Sequence, residues 1–246
     1  MTRIGSFDLE KKAAVVAVIL EKPLETSKKA AEKGADILEI RLDLLGIRNL
    51  ERAAEIIREI KSKTGLPVIA TNRSRAEGGK WEGAEEDRTE LLIGLLKYPF
   101  SLKEGLDAVD IELSASLEER DKVIKAAKDH RKTVIVSSHD FSKTPSPREM
   151  KAILEEMFLA GADIAKLAVM PQLMEDVLNL LRVTLDFRKE EKSVCTIAMG
   201  KPGKHTRVVA PLYGSVLTYG SVEGDASAAP GQLPVDEVKK IMEMLK

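Results

Sequence analysis

A lysine in the middle of an aliphatic segment is the most informative residue of this 246-residue chain. Lys166 stands in the run DIAKLA at 163–168. Burying a lysine as a cation is expensive, whereas a desolvated amine that has lost its proton is a usable nucleophile. With a carbonyl substrate such an amine would form a Schiff base. A lysine that reaches solvent from a strand end, or that pairs with a carboxylate, explains the same pattern.

His139 is the second candidate, and it follows the apolar run at 133–137. Histidine moves protons near neutral pH. A structural histidine with satisfied hydrogen bonds is the alternative interpretation. The other two histidines are less suggestive, because His130 closes a predicted helix and His205 lies in a glycine-rich stretch that we predict to be a solvated, flexible lid.

Three arginines follow predicted strands, and together they favour an anionic substrate. Arg41, Arg73 and Arg207 could grip carboxylates through paired hydrogen bonds. Glu39 and Glu77 could orient these arginines or accept substrate hydroxyls. An internal ion-pair network that only stabilises the protein is the alternative for each arginine.

The composition excludes several classes of protein. The 39 basic and 40 acidic residues give a net charge of -1, which argues against a nucleic-acid binder. No apolar run approaches the roughly 20 residues of a membrane helix, no signal peptide is evident, and one cysteine fits a reducing compartment. We therefore expect a cytoplasmic protein. No histidine and carboxylate spacing supports a metal site, and many Lys and Glu beside few Asn and Gln favour a heat-adapted source.

Short aliphatic runs alternate with helical patterns along the chain. The runs are mostly apolar without strict alternation, as in strands buried on both faces of a parallel sheet. Predicted strands cover 15–20, 37–41, 67–71, 108–113, 133–137, 163–168, 193–199 and 215–219, and predicted helices cover 24–33, 50–63, 86–97, 117–130, 147–160, 173–187 and 234–245.

Eight predicted strands that alternate with helices in 246 residues fit a single-domain (β/α)8 TIM barrel that spans 1–246. The rival is a doubly wound open sheet, but no G-x-G-x-x-G follows the first strand. In a barrel the catalytic groups lie at the carboxyl ends of the strands. Polar residues do follow the predicted strands, with Asp110 and Glu112 in the fourth of them.

Six of these segments together resemble the type I 3-dehydroquinate dehydratases of the shikimate pathway. Each segment alone is weak, but they follow in order over nearly the whole chain. The segments are Glu39-Ile40-Arg41-Leu42-Asp43, Asn72-Arg73 with Glu77-Gly78-Gly79, Ser138-His139-Asp140-Phe141, Lys166-Leu167-Ala168-Val169-Met170, Met199-Gly200 with Arg207, and Ala229-Pro230-Gly231-Gln232.

The resemblance implies a (β/α)8 barrel that dehydrates 3-dehydroquinate to 3-dehydroshikimate without a metal or an organic cofactor. It implies that Lys166 forms the imine and that His139 is the general acid and base. It also implies a small anionic substrate, and the family is often dimeric, so we expect a homodimer. The implied substrate-binding residues are Glu39, Ile40, Arg41, Arg73, Glu77, Arg207 and Gln232, with Arg207 on the substrate carboxylate and with Met199 and Tyr219 lining the pocket.

Two departures from the family pattern bear on the site. The family has a serine four residues before the loop glutamine, where this chain has Ala228 with Ser227 beside it. The chain also reaches its first predicted strand early, so we expect it to lack the N-terminal hairpin that closes the barrel base in bacterial members.

Two alternatives stay open at the level of the sequence. Another Schiff-base barrel, such as a sugar-phosphate aldolase, would use Lys166 but should show a phosphate site in the last two loops. A non-catalytic barrel that binds an anionic metabolite would keep the arginines and need neither Lys166 nor His139.

Overall fold

The fold is built from parallel strands that alternate with helices. The computed structural model describes residues 2–101, 104–222 and 229–245. Its strands are β1 (Arg3–Ile4), β2 (Phe7–Asp8), β3 (Ala14–Ile19), β4 (Ile37–Arg41), β5 (Val68–Thr71), β6 (Ala108–Glu112), β7 (Thr133–His139), β8 (Ile164–Val169), β9 (Val194–Ala198), β10 (Leu217–Ser221) and β11 (Leu233–Pro234). Its helices are α1 (Pro23–Glu32), α2 (Leu50–Thr64), α3 (Glu85–Lys97), α4 (Leu117–Asp129), α5 (Pro147–Leu159), α6 (Met174–Lys189), α7 (Gly200–Gly203), α8 (Thr206–Tyr213) and α9 (Val235–Met244).

One sheet runs around the molecule in the order β11-β10-β3-β4-β5-β6-β7-β8-β9, and all of its pairings are parallel. The gap between β9 and β10 is bridged at Val194 and Ser215, and Val216 N donates to Val194 O at 2.8 Å. A helix follows each of the strands β3 to β10. The predicted barrel fold is confirmed.

Alternation along the strands divides the apolar residues into two layers. Val16, Ile37, Ile69 and Ile135 belong to a cluster inside the barrel. The residues between them point outward and pack against the helices in a second cluster. Polar residues on the inner face near the carboxyl ends of the strands therefore share one space at the top of the barrel.

Local signals define where several helices begin. Ser116 accepts a hydrogen bond from Glu119 N at the start of α4, and Ser146 forms a capping box with Glu149 at the start of α5. Among the described residues, no helix combines the length and the apolar character that a membrane span requires.

Two expectations from the sequence are wrong. A short antiparallel hairpin of β1 and β2 is present, and Ile4 and Leu9 from this segment join the inner cluster. The stretch after β9 is not simply a flexible lid, because it folds into α7 and α8. The glycines of this stretch interrupt the pattern by which a helix is predicted from sequence. Gly203 is required there because a Cβ would lie 2.2 Å from Ala198 O.

Candidate active site

A cleft opens at the carboxyl ends of the strands. Its position is where barrel enzymes place their catalytic groups. Charged side chains from many strands converge on it. The lining residues are Val18, Glu39, Arg41, Arg73, Glu77, Gly78, His139, Phe141, Lys166, Ala168, Ile197, Met199, Arg207, Tyr219, Ala229 and Gln232.

Lys166 lies at the centre of this cleft on β8 and is 4% exposed. Its Nζ donates to Asp110 Oδ2 at 2.8 Å and lies 3.8 Å from Glu39 Oε1. The face of the Tyr219 ring lies 4.5 Å from the same Nζ. A carboxylate and an aromatic face both stabilise positive charge on a buried nitrogen, so this site can hold the lysine as an ammonium or as a protonated imine.

Asp110 joins Lys166 to Arg73. Arg73 Nη2 contacts Asp110 Oδ1 at 2.8 Å, and Arg73 Nη1 contacts Glu112 Oε1 at 3.1 Å. Ser137 Oγ donates to Asp110 Oδ1 at 2.6 Å. Burial alone would raise the pKa of Asp110, but the charges of Arg73 and Lys166 outweigh burial and hold that pKa well below its usual range. Asp110 is therefore ionised and lies next to the Lys166 amine.

Arg41 is held by a second carboxylate. Its Nε and Nη2 donate to Asp43 Oδ1 and Oδ2 at 2.9 and 2.8 Å, which is a bidentate pair. Asp43 also accepts from the backbone N of Arg73 and of Lys80. Although burial raises the pKa of Asp43, Arg41 outweighs burial and the net pKa is lowered. This pair fixes the loop after β5 to the end of β4.

His139 ends β7 and forms a pair with Glu77. Glu77 Oε2 lies 2.8 Å from His139 Nδ1 and accepts from His139 N at 2.9 Å, while Ser114 Oγ donates to Glu77 Oε1. Burial, followed by the charges of Arg73 and Lys166, holds the pKa of His139 well below 6.5. The imidazole is therefore neutral, and a Nδ1–H donated to Glu77 leaves Nε2 as a free base.

The turn that carries Glu77 requires close backbone contact. Glu77 ends a 3-10 turn of Arg75–Glu77 after β5. At Gly79 a Cβ would lie 2.0 Å from Arg73 O, so only glycine lets the chain fold back onto the strand end. Burial raises the pKa of Glu77 above its ordinary value. This loop therefore places a carboxylate behind the histidine.

Arg207, on α8, differs from the other two arginines of the cleft. It is 2% exposed, and no carboxylate among the described residues lies within ion-pair distance of it. Its Nη2 donates to Pro230 O at 3.4 Å, and its Nε has no hydrogen-bond partner among the described residues. Burial lowers its pKa to about 10. Arg207 is a buried cation that can still accept an anionic partner.

Eight of the nine site residues predicted from the sequence line the cleft: Lys166, His139, Glu39, Arg41, Arg73, Glu77, Arg207 and Gln232. Met199 and Tyr219 line it as well. Ile40 does not, because it points outward on β4 and packs in the cluster against the helices. Ser227 and Ala228 lie outside the described residues.

Sequence reasoning missed the carboxylates that hold these cations. The sequence places Asp110 and Glu112 in a strand as polar residues, and this pattern alone does not assign them to the site. Their spacing of two residues in an apolar strand was the available signal, since it places both side chains on the same face. Within the three described segments, no group of three or more His, Cys, Asp or Glu side chains has the geometry to hold a metal ion.

Comparisons with known proteins agree with this geometry. A family model described as type I 3-dehydroquinase matches residues 13–246. The 3-dehydroquinate dehydratase of Methanosarcina acetivorans is 82% identical over 246 residues, which are 100% of both chains.

Solved structures agree in fold as well. The crystal structure of 3-dehydroquinate dehydratase from Geobacillus kaustophilus has a TM-score of 0.86 at 30% identity and covers 95% of this chain and 91% of its own. A type I 3-dehydroquinate dehydratase from Clostridium difficile, solved with covalent modified comenic acid, has the same TM-score and identity and covers 95% and 92%. The chain is therefore a hydro-lyase that belongs to the type I 3-dehydroquinase family.

Proposed function

We propose that this protein dehydrates 3-dehydroquinate to 3-dehydroshikimate through an imine on Lys166. The observation that carries the proposal is a buried lysine between Asp110 and Glu39, with a neutral histidine lining the same cleft. The family membership and the relatives named above support this reaction, and the geometry supports the roles of the individual residues.

Lys166 is the nucleophile of the proposed reaction. Its unprotonated amine adds to the ketone carbon, and loss of one water molecule gives the imine. Asp110 stays ionised in this site, so it is a weak proton acceptor but a suitable counterion for the protonated imine. The cationic imine acidifies the neighbouring C–H bond, because the electron pair released there is delocalised into an enamine.

His139 is the general base and then the general acid. Its neutral Nε2 takes the proton from the carbon next to the imine, and the enamine then expels the β-hydroxyl group as His139 returns the proton to it. Glu77 fixes the tautomer and stabilises the imidazolium between these steps, because it lies 2.8 Å from Nδ1. Water then hydrolyses the product imine and releases the lysine.

Arg207 is proposed to bind the substrate carboxylate. It is the cleft arginine whose charge has no carboxylate partner among the described residues, and a guanidinium binds carboxylate through two parallel hydrogen bonds. Glu39, Arg41 and Gln232 line the remaining wall and are proposed to contact the substrate hydroxyls. Ile40 contributes no side chain to the cleft.

Borohydride trapping tests the proposal. The protein is incubated with 3-dehydroquinate, reduced with borohydride and analysed by peptide mass spectrometry, while absorbance reports dehydroshikimate. We expect a mass increase on the peptide that contains Lys166, and no increase in Lys166→Met. His139→Gln should still form the adduct but turn over about 10²–10⁴-fold more slowly.

The alternatives give different outcomes in the same experiment. An aldolase would give an adduct with a sugar phosphate and none with 3-dehydroquinate, and a binding protein would give no adduct with either. Absence of both adduct and product in the wild type contradicts the proposed function. Unchanged turnover in His139→Gln contradicts the assignment of the base.

We also propose that the protein is a cytoplasmic homodimer from a heat-adapted source and that the barrel at 1–246 is its single domain. Static light scattering of the purified protein tests the dimer, and a melting temperature in the ordinary mesophile range would contradict heat adaptation.

A further inference from the structure

Arg88 is a fully buried cation that does not line the cleft. It lies in the first turn of α3, behind the ends of β5 and β6. Its Nη1 donates to Glu112 Oε2 at 2.7 Å and to Asn72 O at 2.6 Å, and its Nε and Nη2 donate to Glu85 at 2.9 and 2.6 Å. A guanidinium this deeply buried needs such partners.

Glu112 is shared between Arg88 and Arg73. Its Oε2 faces Arg88, and its Oε1 lies 3.1 Å from Arg73 Nη1. Arg73 in turn contacts Asp110, which contacts Lys166. The result is a row of alternating charges from α3 to the cleft, which we name the charge row: Arg88, Glu112, Arg73, Asp110 and Lys166.

We propose that Arg88 is a positioning residue for the reaction, because it neutralises Glu112 from behind and leaves Arg73 in contact with Asp110. This inference rests on the proposed role of Lys166. Without Arg88, Glu112 would have Arg73 as its remaining cation and would draw that side chain away from Asp110. Asp110 would then be balanced mainly by Lys166 and would hold it more firmly as an ammonium, which is the unreactive form.

The position of Lys166 makes it sensitive to such a change. Its Nζ is within hydrogen-bond distance of Asp110, and Glu39 is 1.0 Å farther away, at 3.8 Å against 2.8 Å. A weaker contact between Arg73 and Asp110 therefore acts directly on the nearest anion of the lysine. Besides Asp110 and Glu39, the titratable groups of the described residues that interact with it are His139, Cys195 and Tyr219.

The test compares Arg88→Met with the double variant Arg88→Met/Glu112→Gln. In the single variant we expect kcat/KM and the rate of borohydride-trapped adduct formation to fall together, by about 2- to 30-fold. In the double variant residue 112 carries no charge that attracts Arg73 away from Asp110, so kcat/KM and the rate of adduct formation should both recover. A purely structural role of Arg88 predicts no recovery, because Asn72 O and Glu85 still lack their donor.

Glu85→Gln is the matched control. It weakens the solvent-side anchor of Arg88 but keeps the contact with Glu112, so we expect a lower melting temperature and kcat/KM within about twofold of the wild type. A loss of activity equal to that of Arg88→Met would overturn the proposal. Wild-type kcat/KM in a folded Arg88→Met would overturn it as well.

Two further measurements separate this inference from the proposed function. A crystal structure of Arg88→Met should show the contact between Arg73 and Asp110 lengthened beyond 2.8 Å, and an unchanged contact contradicts the charge row whatever the substrate. If Arg88→Met does not fold, Arg88→Gln takes its place, and we expect the same fall of about 2- to 30-fold in kcat/KM and in adduct formation. A folded Arg88→Gln with wild-type rates would overturn the proposal. Absence of adduct in the wild type instead contradicts the proposed function.

Discussion

The two sides of the cleft are built differently. On the side formed by β4 to β7, which we name the paired side, each arginine contacts carboxylates, as Arg41 does with Asp43 and Arg73 does with Asp110 and Glu112. On the side formed by β9, α8 and β10, the open side, Arg207 lines the cleft together with Ile197, Met199 and Tyr219. Lys166 on β8 stands between the two sides.

The difference indicates that the paired side and the open side have different roles. The paired side is already satisfied before any ligand binds, so its charges hold each other and the lysine in a fixed geometry. The open side contains Arg207, a desolvated cation without a carboxylate partner among the described residues, so an anionic ligand can pair with it. The three arginines that looked equivalent in the sequence therefore divide into two that organise the site and one that is suited to bind an anion.

Replacing the residue between the two sides should have the largest effect. We expect Lys166→Met to reduce turnover of 3-dehydroquinate to the background rate, because no other described cleft residue supplies an amine for the imine. Product absorbance measures turnover, and reduction with borohydride checks for the adduct. Lys125→Met on the exposed face of α4 is the control, and it should leave both unchanged. Residual turnover above background would exclude Lys166 as the nucleophile.

Stability should distinguish the paired side from the open side. Arg73→Met leaves two buried carboxylates without their shared cation, so we expect the free energy of unfolding to fall by about 3–5 kcal/mol. Arg207→Met removes a buried cation that has no carboxylate partner among the described residues, so unfolding free energy should be unchanged or higher. Urea titrations of both variants measure the free energy of unfolding. Equal losses in the two variants would contradict the difference between the paired side and the open side.

For substrate binding we expect the larger effect on the open side, at Arg207. We expect Arg207→Met to raise KM and to reduce kcat/KM by an amount equivalent to about 2–5 kcal/mol, because a carboxylate would lose its charged partner in a desolvated site. Steady-state kinetics measure the change. Arg182→Met, at an arginine 70% exposed on α6, is the control. A fall in kcat with unchanged KM would move Arg207 from binding to the chemical step.

The paired and open sides also differ in how much of them could be predicted from the sequence. The order of strands and helices predicted the barrel. Polar residues at the ends of strands, such as His139, and within them, such as Lys166, predicted most of the cleft. The same pattern could not divide the arginines, because their roles depend on carboxylates that lie far away in the chain. Glu112, for example, is 39 residues from Arg73 and 24 from Arg88.

The remaining differences between prediction and structure have local physical causes. Ile40 stays a predicted substrate-binding residue, but the alternation of a strand places its side chain on the face opposite to those of Glu39 and Arg41. Helix α8 was hidden by the glycines before it and by Pro211 inside it. The hairpin of β1 and β2 is only two residues long on each strand, which is too short for a periodic signal.

The protonation of His139 gives the smallest expected effect, and it tests the paired side alone. Because the folded protein holds the pKa of His139 well below 6.5, the unfolded chain binds a proton there that the folded chain does not. As pH falls below 6.5, this difference favours the unfolded state, by at most about 1.4 kcal/mol per pH unit. His139→Gln lacks this contribution, so its stability relative to the wild type should rise between pH 7 and pH 5. Urea titrations of both proteins at pH 7, 6 and 5 measure the difference. A constant difference across this range would mean that burial and the charges of Arg73 and Lys166 do not lower the pKa of His139 in the folded protein, and the proposed base would then lose its neutral form as the pH falls below 6.5.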